Sequence, residues 1–212
     1  MIQKSQAQDW ANLNRYKNDN VLLQPLDLGK DRIVFMGDSI TEFWQQIHPE
    51  FFAGKPYINR GISGQTTPQM LIRFRADVIN LHPTIVVLLA GVNDIAGNTG
   101  PSTLEMITNN IFSMVALAKV NQIKVILCSV LPAADFPWKK GMQPAEKIIA
   151  LNTKLKEYAL ANDIFYLDYF SAMVDEKKGL KSIYSNDGVH PNELGYQVMS
   201  PLAEAAIINF SD

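Results

Sequence analysis

Short runs of apolar and β-branched residues alternate along this chain with longer segments of helical periodicity, and this alternation restricts the fold more than any other feature. Several of the short runs are apolar on both faces, as are strands buried within a parallel sheet. The predicted strands are Arg32–Met36, Pro56–Asn59, Thr84–Ala90, Ile123–Val130 and Ile164–Leu167. Strands and helices in alternation predict an α/β sandwich around a mostly parallel sheet.

The segments between the strands carry helix-capping residues. Thr67 and Pro68 place a cap and a first-turn proline ahead of a helix over Gln69–Leu81. The range Ser102–Glu105 has the pattern of a capping box, and the helix that it opens is predicted to run to Val120. Further helices are predicted over Ile40–His48, Pro144–Ala161 and Asn192–Phe210, and Pro201 is expected to kink or interrupt the last of them.

The length of 212 residues fits one domain, residues 1–212, with a single large core. We expect residues 1–30 to form an N-terminal extension packed on that domain, with Trp10 and Leu13 docking a short helix. A hydrophobic share of 47% and a charged share of 19% are those of a soluble globular protein. The net charge of −2 gives no reason to expect nucleic acid as a partner, and no apolar run approaches the roughly 18 residues that span a membrane.

The cysteine content and the N-terminal residues are the features that bear on the cellular compartment. The single cysteine, Cys128, lies in an apolar run and is predicted to be a buried small hydrophobic residue. One free thiol fits a reducing compartment without deciding it. Residues 1–9 contain no apolar core of a signal peptide, so we expect no secretion signal and, by default, a cytoplasmic protein. A processed chain would instead be periplasmic or secreted.

Four polar blocks follow the predicted strands. In a doubly wound sheet the site lies beyond the carboxyl ends of the strands, at a topological switch point. The blocks are Gly37-Asp38-Ser39-Ile40-Thr41, the run from Asn59 to Thr66, Gly91-Val92-Asn93-Asp94 and Asn186-Asp187-Gly188-Val189-His190-Pro191. We therefore expect all four at one rim of the sheet.

Ser39 is the candidate nucleophile. It follows a strand and begins a helix, so its N–H lies near the positive end of the helix dipole and would stabilise an oxyanion. A plain helix cap is the alternative interpretation of this serine. Asp187 precedes His190 by three residues, a spacing that lets the carboxylate fix the imidazole tautomer and stabilise the imidazolium. A turn or half of a metal site stays open for that pair.

The chain offers alternatives to both Asp187 and His190. Asp168, at the end of the fifth strand, is an alternative acid, but the spacing favours Asp187. His48 and His82 stand at predicted helix ends beside prolines, with no acidic residue three positions before them, and are expected to be structural.

Gly64 and Asn93 are candidate donors to an oxyanion, together with the N–H of Ser39. A glycine lets its backbone N–H approach a substrate closely, and an asparagine amide supplies a further donor. A turn glycine and an Asx-turn asparagine are the alternative interpretations. Modest indications from four blocks at one rim are hard to attribute to chance.

The four blocks together resemble the SGNH hydrolases, also called the GDSL lipase/esterase family. They match in the family's order from Gly37 to Pro191, with Ile40 where the family name has leucine. The resemblance implies a flavodoxin-like, three-layer αβα sandwich with a five-stranded parallel sheet of order 2-1-3-4-5. It also implies a metal-free mechanism without a cofactor, acting on esters or thioesters. The implied catalytic residues are Ser39, Asp187 and His190, and the implied oxyanion hole is formed by Ser39, Gly64 and Asn93.

Within the family, the run Val34–Asn93 looks most like the platelet-activating-factor acetylhydrolase branch and bacterial acetylesterases. This implies a short acyl group such as acetyl, on a small-molecule or carbohydrate ester. A lysophospholipase or thioesterase for longer acyl chains is the alternative, and the oligomeric state, including a homodimer, stays open. The residues expected to line the substrate site are Asp38, Arg60, Gln65, Trp138 and Tyr184.

Other protein classes fit the sequence less well. A flavodoxin-like nucleotide or flavin module would place Asp38 beside the phosphate, and no Gly-x-Gly-x-x-Gly or Walker pattern occurs. A hydrolase fold kept only for carbohydrate binding or scaffolding has no support, because every catalytic position is filled. A metal-dependent hydrolase would need more ligands than one histidine and scattered carboxylates supply.

Overall fold

Five parallel strands form the central sheet of the computed structural model, which describes residues 9–23 and 31–211. The strands are β1 (Ile33–Gly37), β2 (Tyr57–Gly61), β3 (Ile85–Leu88), β4 (Lys124–Cys128) and β5 (Phe165–Leu167). They lie in the order β2-β1-β3-β4-β5, and all neighbouring pairs are parallel. The predicted α/β fold and its strand order are confirmed.

Helices flank this sheet. The α-helices of the described residues are α1 (Lys17–Leu22), α2 (Ser39–Ile47), α3 (Thr67–Asp77), α4 (Val92–Ala96), α5 (Leu104–Val120), α6 (Ala145–Ala161), α7 (Tyr169–Met173) and α8 (Glu193–Ser211). Short 3-10 turns cover Pro49–Phe51, Ile79–Leu81 and Ser182–Tyr184. Because α5 contacts both α3 and α6, whereas α8 contacts α2 and α7, the helices form two groups around the strands.

Two predicted helix starts shift by one residue. Thr103, rather than Ser102, caps α5, since its Oγ1 accepts the N–H of Met106 at 3.1 Å. Thr66 caps α3, and its backbone N–H donates to Oε1 of Gln69 at 3.0 Å, as in a capping box. A neighbouring hydroxyl thus caps each helix, but α5 begins with a simple threonine cap rather than with the capping box predicted from Ser102 and Glu105.

The prediction that Pro201 interrupts the last helix was wrong. Helix α8 continues through this residue to its end at Ser211. A proline inside a helix removes one N–H donor and crowds one carbonyl. Packing of the helix against the rest of the protein can nevertheless keep the helix continuous. The predicted helix over Gln69–Leu81 instead divides, because α3 ends at Asp77 and a separate 3-10 turn follows.

An aromatic cluster fixes α2, the helix that begins with the candidate nucleophile. The ring of Phe35, from β1, makes edge contacts with Trp44, Phe51 and Phe52 at centroid distances of 5.7, 5.6 and 5.4 Å. Trp44 also stacks on Phe51 at 4.6 Å, and its Nε1 donates to Oγ of Ser200 at 3.3 Å. These contacts hold α2 against β1.

The N-terminal segment (residues 9–23) packs on the sheet edge through different residues from those expected. Trp10 and Leu13 are 45% and 43% exposed, so the prediction that they dock this segment was wrong. Ala11 and Tyr16 are buried instead, and the Tyr16 hydroxyl donates to the carbonyl of Gly61. A tyrosine can cover apolar surface with its ring and also satisfy a buried carbonyl, which neither Trp10 nor Leu13 does here.

Parts of the predicted N-terminal extension, residues 1–8 and 24–30, lie outside the described residues. The division of the chain into one domain with such an extension stays a prediction. In the ranges that the structure does describe, no helix is long and apolar enough to cross a membrane. Cys128 is 1% exposed, and burial raises the pKa of its thiol, as expected for a small core residue.

Candidate active site

Ser39 is the first residue of α2 and lies just beyond the end of β1. The cap of this helix is Asp38, whose Oδ1 accepts the N–H of Ile40 at 3.0 Å. The interpretation of Ser39 as a plain helix cap was therefore wrong, and its hydroxyl is left for another partner. Ser39 Oγ lies 2.9 Å from Nε2 of His190.

The loop before α8 holds His190 against Asp187. Asp187 Oδ2 lies 2.6 Å from His190 Nδ1, and Oδ1 accepts the backbone N–H groups of Val189 and His190 at 2.9 and 2.8 Å. Partial burial raises the pKa of Asp187, but the hydrogen bonds from His190 and Val189 outweigh it and leave the pKa below its usual value. An ionised carboxylate therefore fixes the imidazole with Nε2 towards Ser39.

The alternative acid, Asp168, has other partners. Its Oδ1 accepts the backbone N–H of Ser171 at 3.0 Å, and its Oδ2 accepts the hydroxyl of the same serine at 2.7 Å. Asp168 therefore caps α7. His48 follows α2 and His82 follows the 3-10 turn after α3, both outside the pocket beside Ser39. The geometry favours Asp187 as the partner of the one histidine that contacts Ser39.

A pocket of about 310 Å³ opens beside the Ser39 hydroxyl. Its walls are formed by Ser39, Phe43, Ser63, Gly64, Asn93, Asn98, Trp138 and His190. The aromatic rings of Phe43 and Trp138 lie near the imidazole, with centroids 5.4 and 5.8 Å from its centroid. A substrate in this pocket would contact the serine hydroxyl and two aromatic side chains at once.

Gly64 lines the pocket in a conformation that favours glycine, with φ of +76°. Its N–H donates no hydrogen bond to any residue that the structure describes. Gly61, in contrast, ends β2 and lies against α2, where a Cβ would meet the backbone nitrogen of Glu42 at 2.1 Å. The two glycines of this block thus have different tasks, and only Gly64 offers a free donor to the pocket.

The side-chain amide of Asn93 is held in one orientation. Its Nδ2 donates to the carbonyl of Gln65 at 3.0 Å, and its Oδ1 accepts from Nδ2 of Asn98 at 2.9 Å. An amide nitrogen carries two hydrogens, so the second N–H is left for a ligand. The arrangement supplies a fixed donor on the same pocket as Ser39 and Gly64.

Sequence reasoning missed Phe43, Ser63 and Asn98. Phe43 follows Ser39 by four residues in α2, and this spacing on one helix face could have identified it. Asn98 donates to the carbonyl of Gly64 at 3.2 Å as well as to Asn93, and so links the two candidate donors. Nothing local distinguishes it from an ordinary turn asparagine.

Three of the residues expected to line the substrate site are buried and do not line the pocket, so this expectation was wrong for them. Arg60 is 4% exposed and donates to Oδ1 of Asn20, and Gln65 is 3% exposed and donates to the carbonyl of Ala11 at 2.8 Å. Asp38 caps α2. A buried polar group must find hydrogen-bond partners, and these three find them within the protein.

The other two residues expected to line the substrate site, Trp138 and Tyr184, lie in different places. Trp138 lines the pocket, whereas Tyr184 lies outside it. The ring of Tyr184 is instead covered by the Nζ of Lys181, which lies 5.6 Å from the ring centroid.

The buried carboxyl of Asp38 gives the protein a testable pH dependence. Burial raises the pKa of Asp38 to about 7, against a smaller opposing effect of the Ile40 N–H. The native state then binds this proton more tightly than the unfolded state, so stability falls as pH rises from about 4 to 7 and levels off above 7. Asp38→Asn keeps a capping oxygen and removes this loss, so its advantage over the parent should grow with pH to about 4 kcal/mol at pH 8.

Urea unfolding of both proteins at pH 5, 6, 7 and 8 measures this difference. The parent serves as the reference at each pH, so titrating groups that do not interact with Asp38 cancel. A difference in the free energy of unfolding that stays flat across this range would contradict a raised Asp38 pKa.

Comparison with known proteins decides the family. The model of the GDSL-like lipase/acylhydrolase family matches residues 35–198, most of the chain. The chain belongs to this family. As a GDSL-like acylhydrolase it is an enzyme of the ester hydrolase type, and the family resemblance of its four blocks is confirmed.

Solved structures agree with this assignment. A protein assigned as an acylhydrolase from Bacteroides fragilis is 51% identical, with a TM-score of 0.93 over 96% of this chain and 99% of that one. A GDSL-like lipase from Bacteroides thetaiotaomicron is 50% identical, with a TM-score of 0.90 over 94% and 98%.

A variant of an acetyl-xylooligosaccharide esterase from Geobacillus shares the fold at 21% identity, with a TM-score of 0.67 over 86% of this chain and 96% of that one. Among curated proteins, none matches this GDSL-like acylhydrolase at a significant level.

Proposed function

We propose that this GDSL-like acylhydrolase is a serine-dependent carboxylic ester hydrolase that removes a short acyl group through an acyl-enzyme on Ser39. The observation that carries the proposal is the chain of contacts from Asp187 through His190 to the Ser39 hydroxyl, at 2.6 and 2.9 Å, on the wall of one pocket. Nucleophile, base and orienting acid are the three groups that this mechanism needs.

In the first half of the reaction, Ser39 Oγ attacks the ester carbonyl carbon while its proton passes to His190 Nε2. The carbonyl double bond opens to an oxyanion, and the imidazolium is stabilised by the carboxylate of Asp187. When the tetrahedral intermediate collapses, the bond to the leaving oxygen breaks and Nε2 donates the proton to the alcohol. The acyl group then remains as an ester on Ser39.

The second half repeats these steps with water as the nucleophile. His190 takes a proton from the water that attacks the acyl carbon, and then returns a proton to Ser39 Oγ as the carboxylic acid leaves. Both oxyanions would be held by the N–H groups of Ser39 and Gly64 and by the amide of Asn93. Support for these donors is the free N–H of Gly64 and the fixed amide orientation of Asn93.

The size of the pocket supports a short acyl group. Ligand pockets in proteins span roughly 300 to 1,000 Å³, and a pocket of about 310 Å³ lies at the small end of that range. It must also hold part of the leaving group. Acetyl esters fit this space better than the long acyl chains of a lysophospholipase or thioesterase substrate.

Trp138 supports a sugar as the leaving group. Its ring stacks on the buried Phe136 ring at a centroid distance of 5.2 Å and an angle of 22°, yet Trp138 remains 47% exposed. A rigid aromatic face beside the catalytic histidine is suited to the apolar face of a sugar ring. The acetyl-xylooligosaccharide esterase from Geobacillus has the same fold, but at 21% identity it does not assign a substrate to this chain.

A series of p-nitrophenyl esters tests the acyl preference. We expect kcat/KM to be highest for acetate and to fall beyond butyrate, because a longer chain would extend beyond a pocket of about 310 Å³ and gain no further contacts there. Acetylated xylan and acetylated monosaccharides, assayed by acetate release, test the leaving group alongside. A preference for chains beyond about eight carbons would favour the alternative of a long-chain lipase or thioesterase.

The variant Trp138→Ala distinguishes recognition of the sugar from recognition of the acyl group. It should raise KM for acetylated sugars while kcat for p-nitrophenyl acetate changes little, because loss of one stacking contact is worth about 1 kcal/mol. Equal losses on both substrates would mean that Trp138 only packs the loop.

A further inference from the structure

The N-terminal segment (residues 9–23) precedes the part of the chain that the family model matches, residues 35–198. Its contacts with the rest of the protein nevertheless gather at the end of β2 and the loop that carries Gly64. We call residues 62–66 the Gly64 loop. This loop follows β2 and leads into α3, and two of its residues, Ser63 and Gly64, line the catalytic pocket.

Two backbone carbonyls of the N-terminal segment hold the residues after Gly64, and a hydroxyl of the segment holds the residue before the loop. The Nε2 of Gln65 donates to the carbonyl of Ala11 at 2.8 Å, and the Nε2 of Gln69 donates to the carbonyl of Trp10 at 2.7 Å. The hydroxyl of Tyr16 donates to the carbonyl of Gly61 just before the loop. The segment is therefore hydrogen bonded on either side of Gly64.

A charged pair reaches the middle of the loop. Glu42 Oε2 accepts both the backbone N–H of Ser63 at 2.7 Å and its hydroxyl at 2.5 Å. Glu42 Oε1 accepts from Nη2 of Arg15 at 3.1 Å. The carboxylate of Glu42 is largely covered, with 15% of its side chain exposed, whereas 44% of the Arg15 side chain is exposed.

The position of Glu42 joins this pair to the nucleophile as well. It lies three residues after Ser39 in α2, so one rigid turn of helix connects the serine to the carboxylate that binds Ser63. Partial burial raises the pKa of Glu42, but hydrogen bonds from Ser63 and Arg15 outweigh it, so the pKa lies below its usual value. The carboxylate accepts these bonds in its charged form, in which they are strongest.

We propose that Arg15 and Glu42 are positioning residues of the oxyanion hole, through which the N-terminal segment holds Ser63, and with it the N–H of Gly64, at a fixed place relative to Ser39. This inference rests on the proposed esterase function. An oxyanion donor stabilises the transition state only when it is held at hydrogen-bond distance from the place where charge develops. Gly64 has no side chain to anchor it, so it is held by Asn98, through its carbonyl, and by its neighbours in the chain.

The test compares variants of the full chain with p-nitrophenyl acetate as substrate. Glu42→Ala removes both bonds to Ser63, and Arg15→Met removes the bond that holds Glu42. We expect kcat to fall roughly 10- to 100-fold for Glu42→Ala, as for a donor displaced by about 1 Å, and less for Arg15→Met, while KM changes little. Glu42→Gln, which keeps an oxygen acceptor, should restore part of kcat.

Matched controls come from an exposed ion pair whose residues do not line the pocket beside Ser39. Glu146 Oε1 and Lys178 Nζ lie 2.5 Å apart, and 73% and 53% of the two side chains are exposed. The variants Glu146→Ala and Lys178→Met should therefore retain parental kcat. The downfield proton NMR signal of His190 Nδ1–H reports the contact with Asp187. It should be unchanged in the Glu42 and Arg15 variants, because their defect lies in the oxyanion hole.

Two results would overturn the inference. One is parental kcat in both Glu42→Ala and Arg15→Met. The other is loss of the His190 signal together with kcat, which would mean a general collapse of the site. Arg15 is half exposed, so its variant remains informative if Glu42→Ala does not fold. Activity that survives Ser39→Ala would instead refute the proposed function, which distinguishes the two failures.

Discussion

Replacing Ser39 with alanine is expected to lower kcat for p-nitrophenyl acetate by about 10⁶-fold, the size of effect that follows removal of a serine nucleophile. Under the proposed mechanism the variant loses the atom that forms the acyl-enzyme, and His190 Nε2 loses its partner at 2.9 Å. Helix α2 should still form, because its cap is Asp38 rather than Ser39. Steady-state kinetics, with thermal unfolding to verify folding, measure the effect.

Ser113→Ala provides the matched control for this experiment. Ser113 lies on α5, is exposed, and donates only to the carbonyl of Asn109 at 2.7 Å. Its variant should keep parental kcat. Turnover by Ser39→Ala within about tenfold of the parent would exclude Ser39 as the nucleophile, since no triad enzyme retains such a rate without it.

Asp187→Asn should lower kcat by about 10⁴-fold, with the fold intact. The amide oxygen can still accept the N–H groups of Val189 and His190, so the turn survives. The amide nitrogen, however, would face His190 Nδ1 and donate to it. The proton of the neutral imidazole would then sit on Nε2, where it blocks acceptance of the Ser39 proton.

Asp168→Asn is the discriminating comparison, because Asp168 was the alternative acid. Asparagine caps helices about as well as aspartate, so this variant should keep both its stability and its activity. Steady-state kinetics of the two variants, with circular dichroism spectra, separate the assignments. Loss of activity in Asp168→Asn with retention in Asp187→Asn would reverse them.

The sequence predicted the sheet closely because buried parallel strands leave a strong local pattern. Each predicted strand overlaps the observed one, and the order 2-1-3-4-5 followed from the family resemblance. Helix ends were less well predicted. At the start of α5 two neighbouring hydroxyls, Ser102 and Thr103, could both cap, and packing of the whole helix decided between them.

The rim of the site was harder to predict than its centre. Arg60 and Gln65 belong to the same block as Gly64, so their position along the chain alone suggested that they face the substrate. In the structure their side chains are buried beside the N-terminal segment, to which both are hydrogen bonded. That segment is distant in sequence, and no local pattern indicates which side of the loop it covers.

The sequence by itself determined the order of strands and helices and the four blocks at the strand ends, because these depend on local periodicity and on residue types that few other functions combine. Only the tertiary structure decided that Asp38 caps the helix and leaves the Ser39 hydroxyl to His190, that Asn98 joins Gly64 to Asn93, and that Arg15 and Glu42 hold Ser63. The contacts of Ser39 with His190, of Asn98 with Gly64 and of Glu42 with Ser63 join residues that come together only on folding, and hydrogen-bond geometry is set by that packing.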